Sequence, residues 1–294
     1  MRSVTIRIML FYTLTFLKNP SYWFWCIFFM LFWATLGAFA FTRGITKEWL
    51  LEQGVPVEML DNVWNELVKG YTSSWLASLI VISMGTTASG VVYDFFYSTI
   101  PLRYLSKYSR ARPEKIIISY LLGTILLMSV NFTILFTIII LMFSYRFETL
   151  VSIDNLFGIL LASIVYIIVL FLMSINLGLI PIVLRKPRAL AFLGNFITVL
   201  VFVTTLLHVY AGGEYLHYLP NNAAMMLLFS YASGYEIPYS DSLVSIGGKA
   251  GNYKAFPIEY SWIILFTWIA VLLTTSIVMF KKQKGVSVEE IIYG

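Results

Sequence analysis

Charge is what this sequence has least of. Asp, Glu, Lys and Arg make up 12% of its 294 residues, against 59% hydrophobic, where a soluble globular domain carries about 25% charged residues. Mean hydropathy is +0.82. A chain of this length cannot enclose so much apolar surface in a core of its own, so part of its solvent is lipid. Cysteine is nearly absent. The single Cys26 excludes an intrachain disulfide framework and a cysteine-based metal site. Histidine occurs twice, as His208 and His217. With no cysteine or inward carboxylate beside them they make a poor metal site, so neither a metal nor a cofactor is expected. There is no G-x-x-x-x-G-K-[ST]. "GGKA" at Gly247 lacks both the spacing and the hydroxyl, so the chain cannot cradle a nucleotide in a P-loop. H-E-x-x-H, G-x-S-x-G and paired aspartates facing the cytoplasm are also missing, which removes the usual support for protease, lipase-like or prenyl-transfer chemistry. The expectation is a chain that is not an enzyme and has no catalytic residues.

What is present is a set of long apolar runs. A bilayer-spanning helix needs about 20 mostly apolar residues, and six runs qualify: roughly Tyr22–Thr42, Ser73–Tyr97, Ile116–Tyr145, Asn155–Leu184, Ala189–Tyr210 and Tyr260–Phe280. Pro181 falls near the end of the fourth, where a kink is expected. The fold class expected is all-α and polytopic, a single membrane domain over 1–294 with no soluble domain and no repeat.

The scarce charges give that domain a direction. Taking the segments alternately from the N-terminus, one side holds Arg2, Arg7, Lys18, Arg103, Lys107, Arg110, Arg112, Lys115, Arg185, Lys186, Arg188, Lys281, Lys282 and Lys284, fourteen of the 20 basic residues. The other holds Arg43, Lys47, Lys69, Arg146, Lys249 and Lys254, together with eleven of the 15 acids. By the positive-inside rule both termini are cytoplasmic and the protein is multi-pass in the cell membrane. The basic balance thus reflects topology and does not call for nucleic acid.

Three shorter segments complete the pattern. The first twenty residues resemble a signal peptide, with Arg2, Arg7 and "IMLFYTLTFL", but Lys18, Asn19 and Pro20 stand where a cleavage site would be, and an interfacial helix over 3–18 is read instead. It is expected to remain at the membrane surface. In "VPVEMLDNVWNELVKG", Val57, Leu60, Val63, Trp64 and Leu67 fall at helical spacing, predicting a short external amphipathic helix. In "YLPNNAAMMLLFSYASG" a proline suits a first turn and a glycine suits an end. About a dozen residues between them are too few to span, so a re-entrant or interfacial outer helix before span six is expected.

Between spans two and three lies "STIPLRYLSKYSRARPEK", with five basic residues and one acid. Pro101 suits a helix start. On a helical wheel Arg103, Lys107 and Arg110 fall within about 60° of one another, opposite Leu102, Leu105 and Tyr108. Arg112 precedes Pro113 and is biased out of the helix. A three-turn amphipathic helix flat on the cytoplasmic face is expected. It would either bind anionic headgroups or dock on a cytoplasmic partner.

This arrangement resembles the type-2 permease superfamily of ATP-binding-cassette exporters. In that family the loop typically reads leucines, a proline, serine-arginine, any residue, glutamate and an apolar run. In "LSKYSRARPEKIII", Leu105 to Ile118, the matches are Arg112, Glu114 and Ile116–Ile118. The proline position falls on Ser109, and the glycine-lysine that often follows is missing. Asp94 stands where the family often has an acid. The resemblance implies a membrane permease subunit that moves an amphiphile (lipid, peptide or drug) outward. It also implies a second permease chain, as homodimer or heterodimer, and a separate ATP-binding subunit. That subunit would dock on a coupling helix carrying Leu102, Arg103, Leu105, Lys107, Tyr108, Arg110, Arg112 and Glu114.

Polar groups inside the spans invite functional readings. Asp94 is the only carboxylate within an apolar run, and pairing with Arg103 or with an arginine of the N-terminal helix is expected. Asn131, Asn176 and Asn195 are read as links between helices or as pathway ligands. The aromatic run "YWFWCIFFMLFW" offers interfacial anchors in Trp23, Trp25 and Trp33. In "GTTASG" the small residues Gly85, Ala88 and Ser89 permit close helix approach. The resemblance puts that stripe at a dimer interface and pathway, while physics alone allows packing within the chain. A secondary transporter or channel, or an assembly subunit of a membrane complex, are the rival functions. The former would want paired helix interruptions in two inverted halves, and none are evident.

Overall fold

Between Leu60 and Tyr108 nothing stops a helix once it has started, and α5 runs unbroken through all 49 residues. At about 1.5 Å per residue it is roughly 74 Å long, more than twice a hydrocarbon core of about 30 Å. The amphipathic segment before span two, span two itself and the start of the basic stretch are therefore one element and not three. After the 3₁₀ turn Val57–Met59, Gly70 does not break the helix. The Tyr235 ring packs where its side chain would be, with Cε2 2.8 Å from an added Cβ. Pro101 lies within the helix. It removes one main-chain bond, to the carbonyl of Tyr97, at the end of the apolar segment, where water can solvate that carbonyl.

The computed structural model describes residues 4–108, 113–243 and 253–282, with backbone alone at 4, 100–108, 113 and 114. Of the described residues 84% are helical. Six helical segments are long and apolar enough to cross a membrane: Pro20–Ala40, Val57–Thr99, Lys115–Phe147, Leu156–Val183, Pro187–Tyr210 and Ile258–Lys282. The protein is a polytopic helical membrane protein.

In chain order, α1 is Val4–Leu17, and span one comprises α2 (Pro20–Trp23) and α3 (Phe29–Thr35) with π-helical turns at Phe24–Phe28 and Leu36–Ala40. Then come α4 (Lys47–Glu52), α5, α6 (Pro113–Phe147), α7 (Leu156–Val183), α8 (Leu190–Tyr210), α9 (Pro220–Ser233) and α10 (Ile258–Lys282). α5 is the axis of the bundle and packs against α6, α7, α8 and α9; α7 packs on α10, and α1 on α6. The π turns widen span one and disturb its main-chain bonding. Side chains of α5 bond two of the affected carbonyls: Ser83 Oγ donates to Cys26 O at 2.7 Å and Tyr71 Oη to Gly37 O at 3.2 Å.

The short helix before the last span is the most enclosed element. Pro220 opens α9 at its first turn and Gly234 closes it at φ +74°, with its N–H bonded to Ser230 O. Only Ser230 and Tyr231 of its 14 residues are not fully buried. α9 packs among α5, α7, α8 and α10. A two-stranded hairpin, β1 (Ile237–Pro238) and β2 (Ala255–Phe256), covers the approach to α10.

Candidate functional site

The polar groups expected to matter lie along α5 and its neighbours, and they fall into a set towards the Tyr108 end of α5, a middle set and a set towards its Leu60 end. Towards the Tyr108 end of α5, Asp94 is half-buried. Its Oδ2 is enclosed with no hydrogen-bond partner among the described residues. Arg7, the one α1 arginine described, is exposed and forms no ion pair with it; this corrects one arm of the expected pairing. Arg2 and the Arg103 side chain lie outside the described residues. Asp94 acts electrostatically on Tyr12 of α1 and Tyr120 of α6, whose ring centroids are 4.6 Å apart. An enclosed carboxyl oxygen with no donor lacks the hydrogen bond that buried polar atoms normally find.

One turn away, α5 meets α8 along a polar and small-residue seam. Asn195 Nδ2 donates to Tyr93 Oη at 3.0 Å. Gly194 makes room for that ring, since a Cβ there would lie 2.7 Å from Tyr93 Oη. Further along, Ser89 Oγ accepts from Thr198 N at 3.1 Å and bonds Thr198 Oγ1 at 2.8 Å. At Gly85 an added Cβ would stand 3.0 Å from three carbons of Val201. The stripe Gly85–Ala88–Ser89 is thus occupied within the chain: α8 covers Gly85 and Ser89, and Ala88 O accepts from Ser174 Oγ of α7 at 2.9 Å.

The middle set joins other pairs of helices. Asn131 Nδ2 donates to Thr87 Oγ1 at 2.8 Å, and Tyr22 Oη donates to Asn131 Oδ1, so one amide links α6, α5 and span one. Asn176 Nδ2 reaches Leu272 O and Ser276 Oγ of α10, each at 2.9 Å, while its Oδ1 has no partner among the described residues. The three asparagines therefore each bridge helices, and Asn195 is also exposed.

The set towards the Leu60 end of α5 was not legible in sequence. Tyr235 Oη donates to Glu66 Oε2 at 2.8 Å and lies 3.0 Å from Glu66 O, pinning the chain after α9 to the Leu60 end of α5. His208 and His217 are fully buried with ring centroids 4.8 Å apart. A shallow cavity of about 210 Å³ beside Glu66 is lined by residues including Asn65, Glu66, Lys69, Thr149 and Ser152. No group of three or more His, Cys, Asp or Glu that would hold a metal occurs among the described residues.

Of the coupling-segment residues, Leu102, Arg103, Leu105, Lys107 and Tyr108 lie on the continuous α5 backbone, and Glu114 lies in the first turn of α6. The expected separate helix starting at Pro101 is not present; its first two turns extend span two. Arg110 and Arg112 lie outside the described residues. The chain matches no family model, and no curated protein and no solved structure matches it.

Proposed function

We propose that this chain is the permease subunit of an ATP-driven exporter of the type-2 ATP-binding-cassette class. It would move an amphiphile (lipid, hydrophobic peptide or drug) outward with energy from a separate ATP-binding subunit. One observation carries the reading: α5 continues as helix past the second apolar segment to Tyr108, bearing Arg103 and Lys107, and α6 starts afresh at Pro113. A basic helix end projecting from a membrane bundle is a handle for a cytoplasmic partner.

In this reading both termini face the cytoplasm of the cell membrane, α1 lies at its inner surface, and α9 is the outer re-entrant helix. A second permease chain completes the pathway. Because the handle and span two are one helix, closure of the ATP-binding subunits against it tilts α5 as a lever. The motion reaches Leu60–Thr72 at the outer end without an intervening hinge. α5 carries α6, α7, α8 and α9 on its flanks, so its tilt moves most of the bundle.

The deciding experiment is affinity capture of the chain from detergent-solubilised native membranes, with co-purifying proteins identified. A P-loop ATPase recovered in near-stoichiometric amount supports the reading. A clean preparation without one overturns it in favour of a secondary transporter or an assembly subunit.

A further inference from the structure

The two histidines of the chain are nine residues apart in sequence on different elements, and the fold seats them against each other. His208 belongs to the last turns of α8, and His217 to the 3₁₀ turn Glu214–Tyr218. Both are 0% exposed. The rings meet edge to face at 85°, with centroids 4.8 Å apart. The other face of His217 stacks on Phe256 of β2 at 4.5 Å and 10°. His217 Nε2 donates to Tyr239 O at 2.9 Å, which leaves Nδ1 as the lone-pair nitrogen. That Nδ1 and both nitrogens of His208 have no partner among the described residues.

We propose that this pair is an acid-released latch: neutral, it clamps the 214–218 turn and the β-hairpin onto the outer end of α8, and protonation frees that cap. As neutral imidazoles the rings pack like any aromatic pair. As a cation, either would be buried with no counter-charge, and two cations would repel.

The charged and titratable groups around the pair do not supply that counter-charge. On the same turn, Glu214 bonds the Tyr239 hydroxyl, and Tyr215 and Tyr218 lie nearby. Lys254 sits over the Tyr239 ring at 4.2 Å. From α10, Tyr260 packs on Phe256, and from α9 come the neutral Asn221 and Asn222, bonded to Thr204 of α8. Asp241 follows in the same loop. Neither imidazole has an ion-pair partner among the described residues. Burial holds the His217 imidazole below its ordinary range, opposed by the main-chain groups of Tyr239 and Pro238.

The sign follows from linkage. An opened cap takes up protons below about pH 6.5, the ordinary imidazole value, while the closed cap does not. Closure is therefore fully favoured above that pH and weakens as pH falls, by up to about tenfold in the opening constant per pH unit per histidine. That the latch senses the external medium rests on the orientation proposed above; the latch itself does not.

The test is hydrogen exchange by mass spectrometry on the purified full chain in detergent, from pH 7.5 to 4.5, corrected for intrinsic rates. Peptides covering 211–219 and 237–243 should hold their protection down to about pH 6.5 and then lose it by up to about tenfold per unit per histidine. Peptides from α6 should show no such change. In His208→Leu the slope should roughly halve, and in His208→Leu/His217→Phe it should vanish, whatever the absolute protection. In Glu214→Gln it should persist. A flat wild-type profile, an undiminished slope in the double variant, or its loss in Glu214→Gln would overturn the latch. So would added zinc raising protection in wild type and not in His208→Leu, which would make the pair metal ligands.

Discussion

Asn131 donates to Thr87 across 2.8 Å, joining α6 to α5, while its carbonyl oxygen takes the hydroxyl proton of Tyr22 from span one. Three spans thus meet on one amide. Interhelical hydrogen bonds in membranes average about 0.6 kcal/mol with a maximum near 1.7, and Asn131→Leu removes two while leaving buried hydroxyls behind. A loss of about 1–2 kcal/mol is expected, read from the denaturation midpoint in detergent micelles. Asn131→Asp should fare worse, because it places a carboxylate there. An unchanged midpoint for Asn131→Leu would show the network to be dispensable.

The α5–α8 seam makes a sharper claim. Gly85→Leu sets a bulky side chain where Val201 already stands, and the folded yield should fall steeply. Gly85→Ala should cost about 1–3 kcal/mol through overpacking. The double variant Gly85→Ala/Val201→Ala should recover part of that, a coupling expected only for residues in contact. Simple additivity would mean that α8 does not close on α5 here.

Where the chain after α9 meets the Leu60 end of α5, Tyr235→Phe should lower stability by about 1 kcal/mol and speed proteolysis after Gly234. Burial and the Glu66 carboxylate push the Tyr235 phenol above its ordinary range. A group whose proton is held more tightly in the folded state contributes stability below its ordinary value, about 10, and loses it as pH rises beyond. The wild type should weaken there relative to Tyr235→Phe, measured by unfolding midpoints at pH 9 and 11.

Orientation can be read directly. Cys26 is buried, so Cys26→Ser gives a thiol-free background. A cysteine replacing Glu58 should react with a membrane-impermeant maleimide on intact cells, and one replacing Lys281 should react only after permeabilisation. The reverse pattern would invert the topology.

The coupling segment is tested by charge. Arg103→Glu/Lys107→Glu should leave insertion and folding intact and reduce ATP hydrolysis coupled to transport in the reconstituted complex. Full coupling in that variant would remove the argument for a docking end on α5.

That the chain carries six apolar helices of membrane-spanning length was legible from the sequence, because the bilayer imposes a length of apolar chain that no neighbour can substitute. The ends of α9 were legible for a similar reason: Pro220 and Gly234 act through their own backbone. Charge along the loops supplies the expected orientation by the same local logic. Tertiary structure decided what depends on a partner distant in sequence. Whether Leu60–Tyr108 is one helix or three turns on main-chain continuity through Gly70 and Pro101, residues that permit a break without requiring one. Gly85 and Ser89 announced a close approach but not to which helix. The π turns of span one left no mark in its residue pattern, and two of their carbonyls are bonded by Ser83 and Tyr71 from another span. His208 and His217 read as two isolated rings until the turn at Glu214–Tyr218 folded one onto the other. Local preference fixes where helices lie, and packing across a hundred residues fixes which faces meet.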